Sequence, residues 1–129
     1  MFEQLEYVYM PSSDVARDVA WFTDILGANL IFAIESMGTR VAMVELTTSP
    51  PRILLAGHLE GDRPILVYRV DNLGAATEEL RSRGWEAGHR LEIPQGPVHS
   101  FSAPGGQRLA IFELTRPGVE ASFAGRCDF

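Results

Sequence analysis

The chain has 129 residues, of which 46% are hydrophobic and 22% charged, and its formal charge is −6. These values fit one globular domain and exclude nucleic acid as a partner, because no basic excess exists to displace phosphate counterions. No run approaches the roughly 20 apolar residues that cross a bilayer, so no membrane role is expected. Glu3 and Glu6 stand where a signal peptide carries positive charge, and Cys127 has no second cysteine to pair with. Together these lead to the expectation of a cytoplasmic protein.

In chain order, Leu5–Met10 is rich in β-formers, closes at Pro11 and reads as a strand. The stretch Asp14–Gly27 follows, with apolar residues at 15, 19, 22 and 26 and with Trp21 and Ile25 widening the stripe. That spacing predicts a helix with one buried face, capped by Asp14 and ended by Gly27. Residues 28–35 and 40–48 read as strands joined by the turn Ser36-Met37-Gly38-Thr39, with Val41, Met43 and Glu45 on one face. A short apolar strand spans 52–57, and residues 58–64 have the chemistry of a linker.

The pattern then repeats 57 to 59 residues later. Pro64–Val70 is a strand, Leu73–Arg83 a helix stopped by Gly84, and strands are expected over 85–91, 98–103 and 108–115. The turns Pro94-Gln95-Gly96-Pro97 and Pro104-Gly105-Gly106-Gln107 separate the last three. The tail 116–129 is mixed, and packs through Phe123 and Phe129 or has no fixed course. The expected fold is therefore α+β, a single domain over 1–129 built of two βαβββ modules, about 4–59 and 64–115. Neither module is large enough to bury a good core alone. Paired, they give a curved mixed sheet with helices on the outer face and an open cup on the inner one.

Two stretches resemble landmarks of the vicinal oxygen chelate superfamily, which includes glyoxalase I, bleomycin-resistance proteins and extradiol dioxygenases. Asp14-Val15 through Ala20-Trp21-Phe22-Thr23-Asp24-Ile25-Leu26-Gly27 resembles its helix signature. Ala103-Pro104-Gly105-Gly106-Gln107-Arg108-Leu109 resembles the Asp-Pro-x-Gly-Asn turn before its last strand. The resemblance covers roughly residues 5–115. It implies a divalent metal held in the cup by histidines and carboxylates, at positions that fall here on Tyr7, near Ile65, and on Ala110. Ile and Ala carry no donor atom and neutral Tyr is a poor ligand. No metal and no other cofactor is therefore expected. The remaining candidate donors are His58, His89, His99, Glu45 and Glu113. His58 and His89 lie in turn-like stretches, His99 alternates with Phe101 and is assigned to the cup, and Glu113 has the parity of the opposite face.

Strand parity makes the expected ligand-binding cup Tyr7, Tyr9, Met43, Ile65, Val67, Arg69, His99, Phe101, Arg108, Ala110 and Phe112, with Leu5 beside Tyr7. An apolar and aromatic surface with a few polar ends suits a small organic ligand, and Arg69 or Arg108 would pair with its carboxylate or else with Glu45. No nucleophile–base pair stands out, so catalytic residues are left unassigned. The function expected is metal-independent binding of a small, partly apolar or aromatic molecule, as the resemblance to bleomycin-resistance proteins implies, in a homodimer whose second chain completes the cup. Two other functions stay open: a metal-dependent lyase, isomerase or dioxygenase with displaced ligands such as His58, His99 or Glu45, and a partner-binding or regulatory module whose cup is filled by its own side chains.

Overall fold

The computed structural model describes all of residues 1–129. Strand β1 (Phe2–Pro11) leads into helix α1 (Val15–Asp24), and β2 (Asn29–Ser36), β3 (Thr39–Glu45) and β4 (Arg52–Ala56) complete the first module. The second module runs β5 (Ile65–Val70), α2 (Leu73–Ser82), β6 (His89–Ile93), β7 (Gly96–Ser102) and β8 (Arg108–Glu113), and a short helix α3 (Val119–Phe123) follows. The eight strands form one sheet in the order β2-β3-β4-β1-β5-β8-β7-β6. Each module has the same internal order, and the two meet where β1 pairs antiparallel with β5. Within each module the first and last strands pair in parallel, which makes the sheet mixed. No helix is long and apolar enough to cross a membrane.

Local chemistry accounts for the element ends. The Asp14 carboxylate accepts from the Arg17 N–H at 3.1 Å, and the Asn72 side chain accepts from the Ala75 N–H at 2.8 Å. These are N-caps at matching places in the two modules. Gly27 and Gly84 take positive φ just beyond the two helices, as does Gly38 in the β2–β3 turn. Glu113 points to the helical side as its parity requires, and its carboxylate accepts from the Leu73 N–H at 2.8 Å, favourable at a helix start.

Helices α1 and α2 cover separate parts of the outer face. Val15 and Val19 pack on Ala33, Ala42 and Leu55, while Leu73 and Ala76 pack on Val70 and Ile111. The α1 stripe is narrower than its sequence suggests: Trp21 is 50% and Ile25 67% exposed, with Trp21 stacked edge-on against Phe22. The small residues Ala33 and Ala42 let α1 sit close to the sheet along Val15 and Val19, so residues further round the helix reach past its edge. Strand β6 starts later than the sequence pattern places it, because the segment after α2 is used to lay Trp85 against Phe101 and His99.

The inner face is a separate core of Tyr7, Phe32, Met43, Val67, Val98, Ala110 and Phe112. Phe112 is fully buried at its centre. Phe112→Ala should therefore cost about 3–5 kcal/mol of stability, read as a lowered midpoint in urea with an unchanged slope. A loss under about 1 kcal/mol would show that this face is not a close-packed core.

Candidate functional site

Register decides which side chains share the cup. Tyr7 pairs with Val67 across β1–β5, Val67 with Ala110 across β5–β8, and Val98 with Phe112 across β7–β8. Met43 stands opposite Phe32 and Leu54, and Tyr9 opposite Leu54 and Ile65. Residues paired across neighbouring strands lie on one face, so these line the cup together.

The polar groups gather around Tyr7, which is only 2% exposed. Its hydroxyl donates to the Glu120 carboxylate from α3, and the buried Gln95 amide reaches the same oxygen at 3.5 Å. Arg52, the Cα partner of Tyr7 on β4, places one guanidinium nitrogen 2.8 Å from Glu120 and another 3.3 Å from Glu45. Burial, and then the hydrogen bond and negative charge of Glu120, push the Tyr7 phenol far above the ordinary tyrosine range, so it is a neutral donor. Tyr9, raised by burial, bonds through its hydroxyl to His58 Nε2 at 2.9 Å, and His58 Nδ1 lies 3.3 Å from the Thr39 hydroxyl. His58 is thus an exposed group at the cup rim.

The tail fills the space above the first module. Phe123 packs against Phe32 with ring centroids 5.8 Å apart, on the same face of α3 as Glu120. Beyond α3 the chain follows the β2 edge: Gly125 donates to the Ile31 carbonyl, Arg126 accepts from the Ala33 N–H and Asp128 donates to the Ala33 carbonyl. Phe129 ends on the outer side, beneath the Arg40 guanidinium at 4.6 Å. Arg126 and Asp128 brace this course with an ion pair at 2.8 Å, which holds the Asp128 carboxyl below its usual range. An open groove of about 720 Å³ lies elsewhere, between α1 and the end of β1, lined by Met10, Pro11, Trp21, Ile25 and Leu55 among others.

The family model described as the Glyoxalase/Bleomycin resistance protein/Dioxygenase superfamily matches residues 4–111. The chain belongs to that superfamily. No curated protein sequence matches the chain. Among solved structures, methylmalonyl-CoA epimerase from Mycobacterium tuberculosis aligns with a TM-score of 0.73 at 21% identity, over 88% of this chain and 89% of that one. A hypothetical protein from Bacillus halodurans C-125 aligns at 0.72 and 13% identity, over 85% and 93%. A catechol 2,3-dioxygenase aligns at 0.66 and 18% identity, over 93% of this chain but 43% of its own. At such identities the likeness is one of fold, the vicinal oxygen chelate cup.

The positions at which the resemblance expects metal ligands lie on the cup face, and their side chains do not suit a cation. Tyr7 is held neutral and committed to Glu120, while Ile65 and Ala110 offer no donor. The position in the first module that corresponds to Ala110 is Leu54, since Leu54 pairs with Tyr9 as Ala110 pairs with Val67. It too lacks a donor. No three His, Cys, Asp or Glu side chains converge anywhere in a way that would hold a metal.

Of the residues assigned to the cup from sequence, Tyr7, Tyr9, Met43, Ile65, Val67, Ala110 and Phe112 lie on its surface. Arg69 and Arg108 share that face by register but are engaged elsewhere. Arg69 pairs with Glu3 at 3.1 Å, and Arg108 donates to the carbonyls of Glu60 and Arg63, tying down the inter-module linker. Three assignments are corrected: His99, Phe101 and Leu5. His99 and Phe101 pair with Ile111 and Leu109 and sit on the outer face against Trp85. Burial and the nearby Arg90 and Arg81 push the His99 pKa down. Parity within β7 is set by Gly96 opposite Ile93, which turns Val98 and Ser100 to the cup instead. The displaced ligand set His58, His99 and Glu45 is therefore not brought together. Leu5 also leaves the cup, because a bulge at Glu6 pairs it with Tyr68.

Arg52, Gln95, Glu120, Phe32 and Phe123 are among the cup residues that the sequence does not single out, as are Val98 and Leu54. Arg52 was detectable as the one charged residue opening an otherwise apolar strand, but nothing local marks Glu120 as its partner.

Tyr7 makes stability pH-dependent with a defined sign. Its folded pKa is raised, so its contribution is complete below the unfolded value of about 10 and is lost as pH rises above it. Tyr7→Phe should flatten the alkaline fall in urea midpoint between about pH 9 and pH 11. Parallel curves for the two proteins would show that the phenol is not held neutral by the fold.

Proposed function

We propose that the chain binds a small, partly apolar or aromatic molecule in its cup and does so without the superfamily's usual metal centre. One observation carries this reading: the positions that would supply the metal's ligands hold Tyr7, Ile65 and Ala110, inside a floor of Met43, Val67 and Phe112. A surface of that kind offers shape and apolar contact, with Tyr7, Arg52 and Gln95 as the orienting polar groups. The lone cysteine supports a reducing compartment such as the cytoplasm. A homodimer is part of the proposal, checked by light scattering on eluted protein.

A second function has its own support. Phe123 and Glu120 occupy part of the cup, as a regulatory or partner-binding module filled by its own side chains would require. The two are separated by a thermal-shift screen of the full chain against small aromatic compounds, run beside metal analysis of protein purified without chelators. Saturable stabilisation by a compound, lost in Val67→Asp protein that still folds, supports the binding cup. About one metal per chain with stabilisation at micromolar Ni²⁺, Zn²⁺, Fe²⁺ or Mn²⁺ would overturn the metal-independent reading.

A further inference from the structure

We infer that Arg52 and Tyr7 form a carboxylate-binding subsite in the cup, that its ligand is a small carboxylic acid bearing an apolar or aromatic group, and that Glu120 with Phe123 is the chain's own stand-in for that ligand. The inference rests on the small-molecule reading and deepens it by naming the ligand class.

The geometry is that of a bound acid. One Glu120 oxygen accepts from the Tyr7 hydroxyl and the other lies 2.8 Å from the Arg52 guanidinium, so both oxygens are engaged by donors from different strands. The Tyr7 phenol is neutral and keeps its proton to give, and Gln95 approaches it from the second module. One helical turn further on, the Phe123 ring rests on Phe32. A carboxylate joined to an aromatic ring thus spans the polar end and the apolar wall of the cup.

Arg52 does not need Glu120 for neutralisation, because Glu45 already stands 3.3 Å away on the neighbouring strand. Nor does the sheet need the tail to close, since all eight strands end by Glu113. The tail is attached by means that can be exchanged. Helix α3 has five residues, none of them buried, and no side-chain cap; the segment after it is held by hydrogen bonds to the β2 edge and by Phe129. Lifting α3 leaves the buried Tyr7 hydroxyl and one Arg52 guanidinium nitrogen without their carboxylate acceptor. An external carboxylate supplies it, in competition with a tethered one whose effective concentration is of millimolar order.

The test is calorimetric titration of 3-phenylpropanoate and its uncharged analogue 3-phenylpropanamide into the full chain and into Glu120→Gln, Glu120→Gln/Arg52→Met and Glu120→Gln/Tyr7→Phe proteins, each checked for folding by circular dichroism. Glu120→Gln should bind the acid at least about tenfold more tightly than the unaltered chain does, because the tethered competitor is weakened. It should also prefer acid to amide by about tenfold, and both double variants should lose most of that preference. The Tyr7→Phe arm changes no charge and leaves the Arg52–Glu45 pair in place, so it reports even if Arg52→Met unfolds. Equal binding of acid and amide to Glu120→Gln would overturn the carboxylate subsite while leaving the binding cup intact. Failure of both probes to bind any folded variant would overturn the subsite and count against the cup as a small-molecule site.

Discussion

The antiparallel pairing of β1 with β5 is the constraint on which the other features depend. Each module alone presents a four-stranded sheet with one helix, too little to bury both of its faces. Joining the modules through β1 and β5 brings Tyr7 against Val67 and makes one continuous floor from Phe32 to Val98. The same pairing separates two hydrophobic environments. The outer face divides into a cluster under each helix, whereas the inner face forms a single cluster that crosses the module boundary.

That division also explains how equivalent positions came to differ in use. Arg52 opposite Tyr7 and Arg108 opposite Ile65 are related by the repeat. Arg108 spends its guanidinium on backbone carbonyls of the linker, so it fixes the joint between modules. Arg52 faces two carboxylates beside a buried phenol, so it is part of the cup's polar end. The superfamily's usual answer to the need for polarity in an apolar cup is a metal and its ligands. Here a guanidinium, a phenol and an amide stand at the cup's polar end, together with the Glu45 and Glu120 carboxylates.

The tail completes this arrangement. It enters the cup with Glu120 and Phe123, pairs along β2, and leaves on the outer face at Phe129, so that it wraps one edge of the sheet. Covering β2 removes an exposed strand edge from solvent, a liability that open sheets must manage. Covering Tyr7 and Arg52 gives the Tyr7 hydroxyl and one guanidinium nitrogen a carboxylate acceptor. One segment thus serves a structural need at its far end and occupies a polar site at its near end.

By itself the sequence determined the two modules, the Asp14 cap of the first helix, the glycine stops of both helices, and the opposite parities of Ala110 and Glu113. Each depends on residues a few positions apart, where periodicity and turn chemistry act. The sequence also placed Tyr7, Ile65 and Ala110, none of them a good cation donor, where the resemblance to the superfamily expects metal ligands. Only the tertiary structure decided which face His99 and Phe101 take, because one hairpin register at Gly96 and one packing partner, Trp85, set the parity of β7. It alone moved Leu5 out of the cup, through a bulge that periodicity does not reveal. And it alone joined Glu120 to Tyr7 and Arg52, across separations of 113 and 68 residues. A carboxylate carries no local signal of its partner; the charge it will meet is set by how the sheet curves and where the tail is laid down.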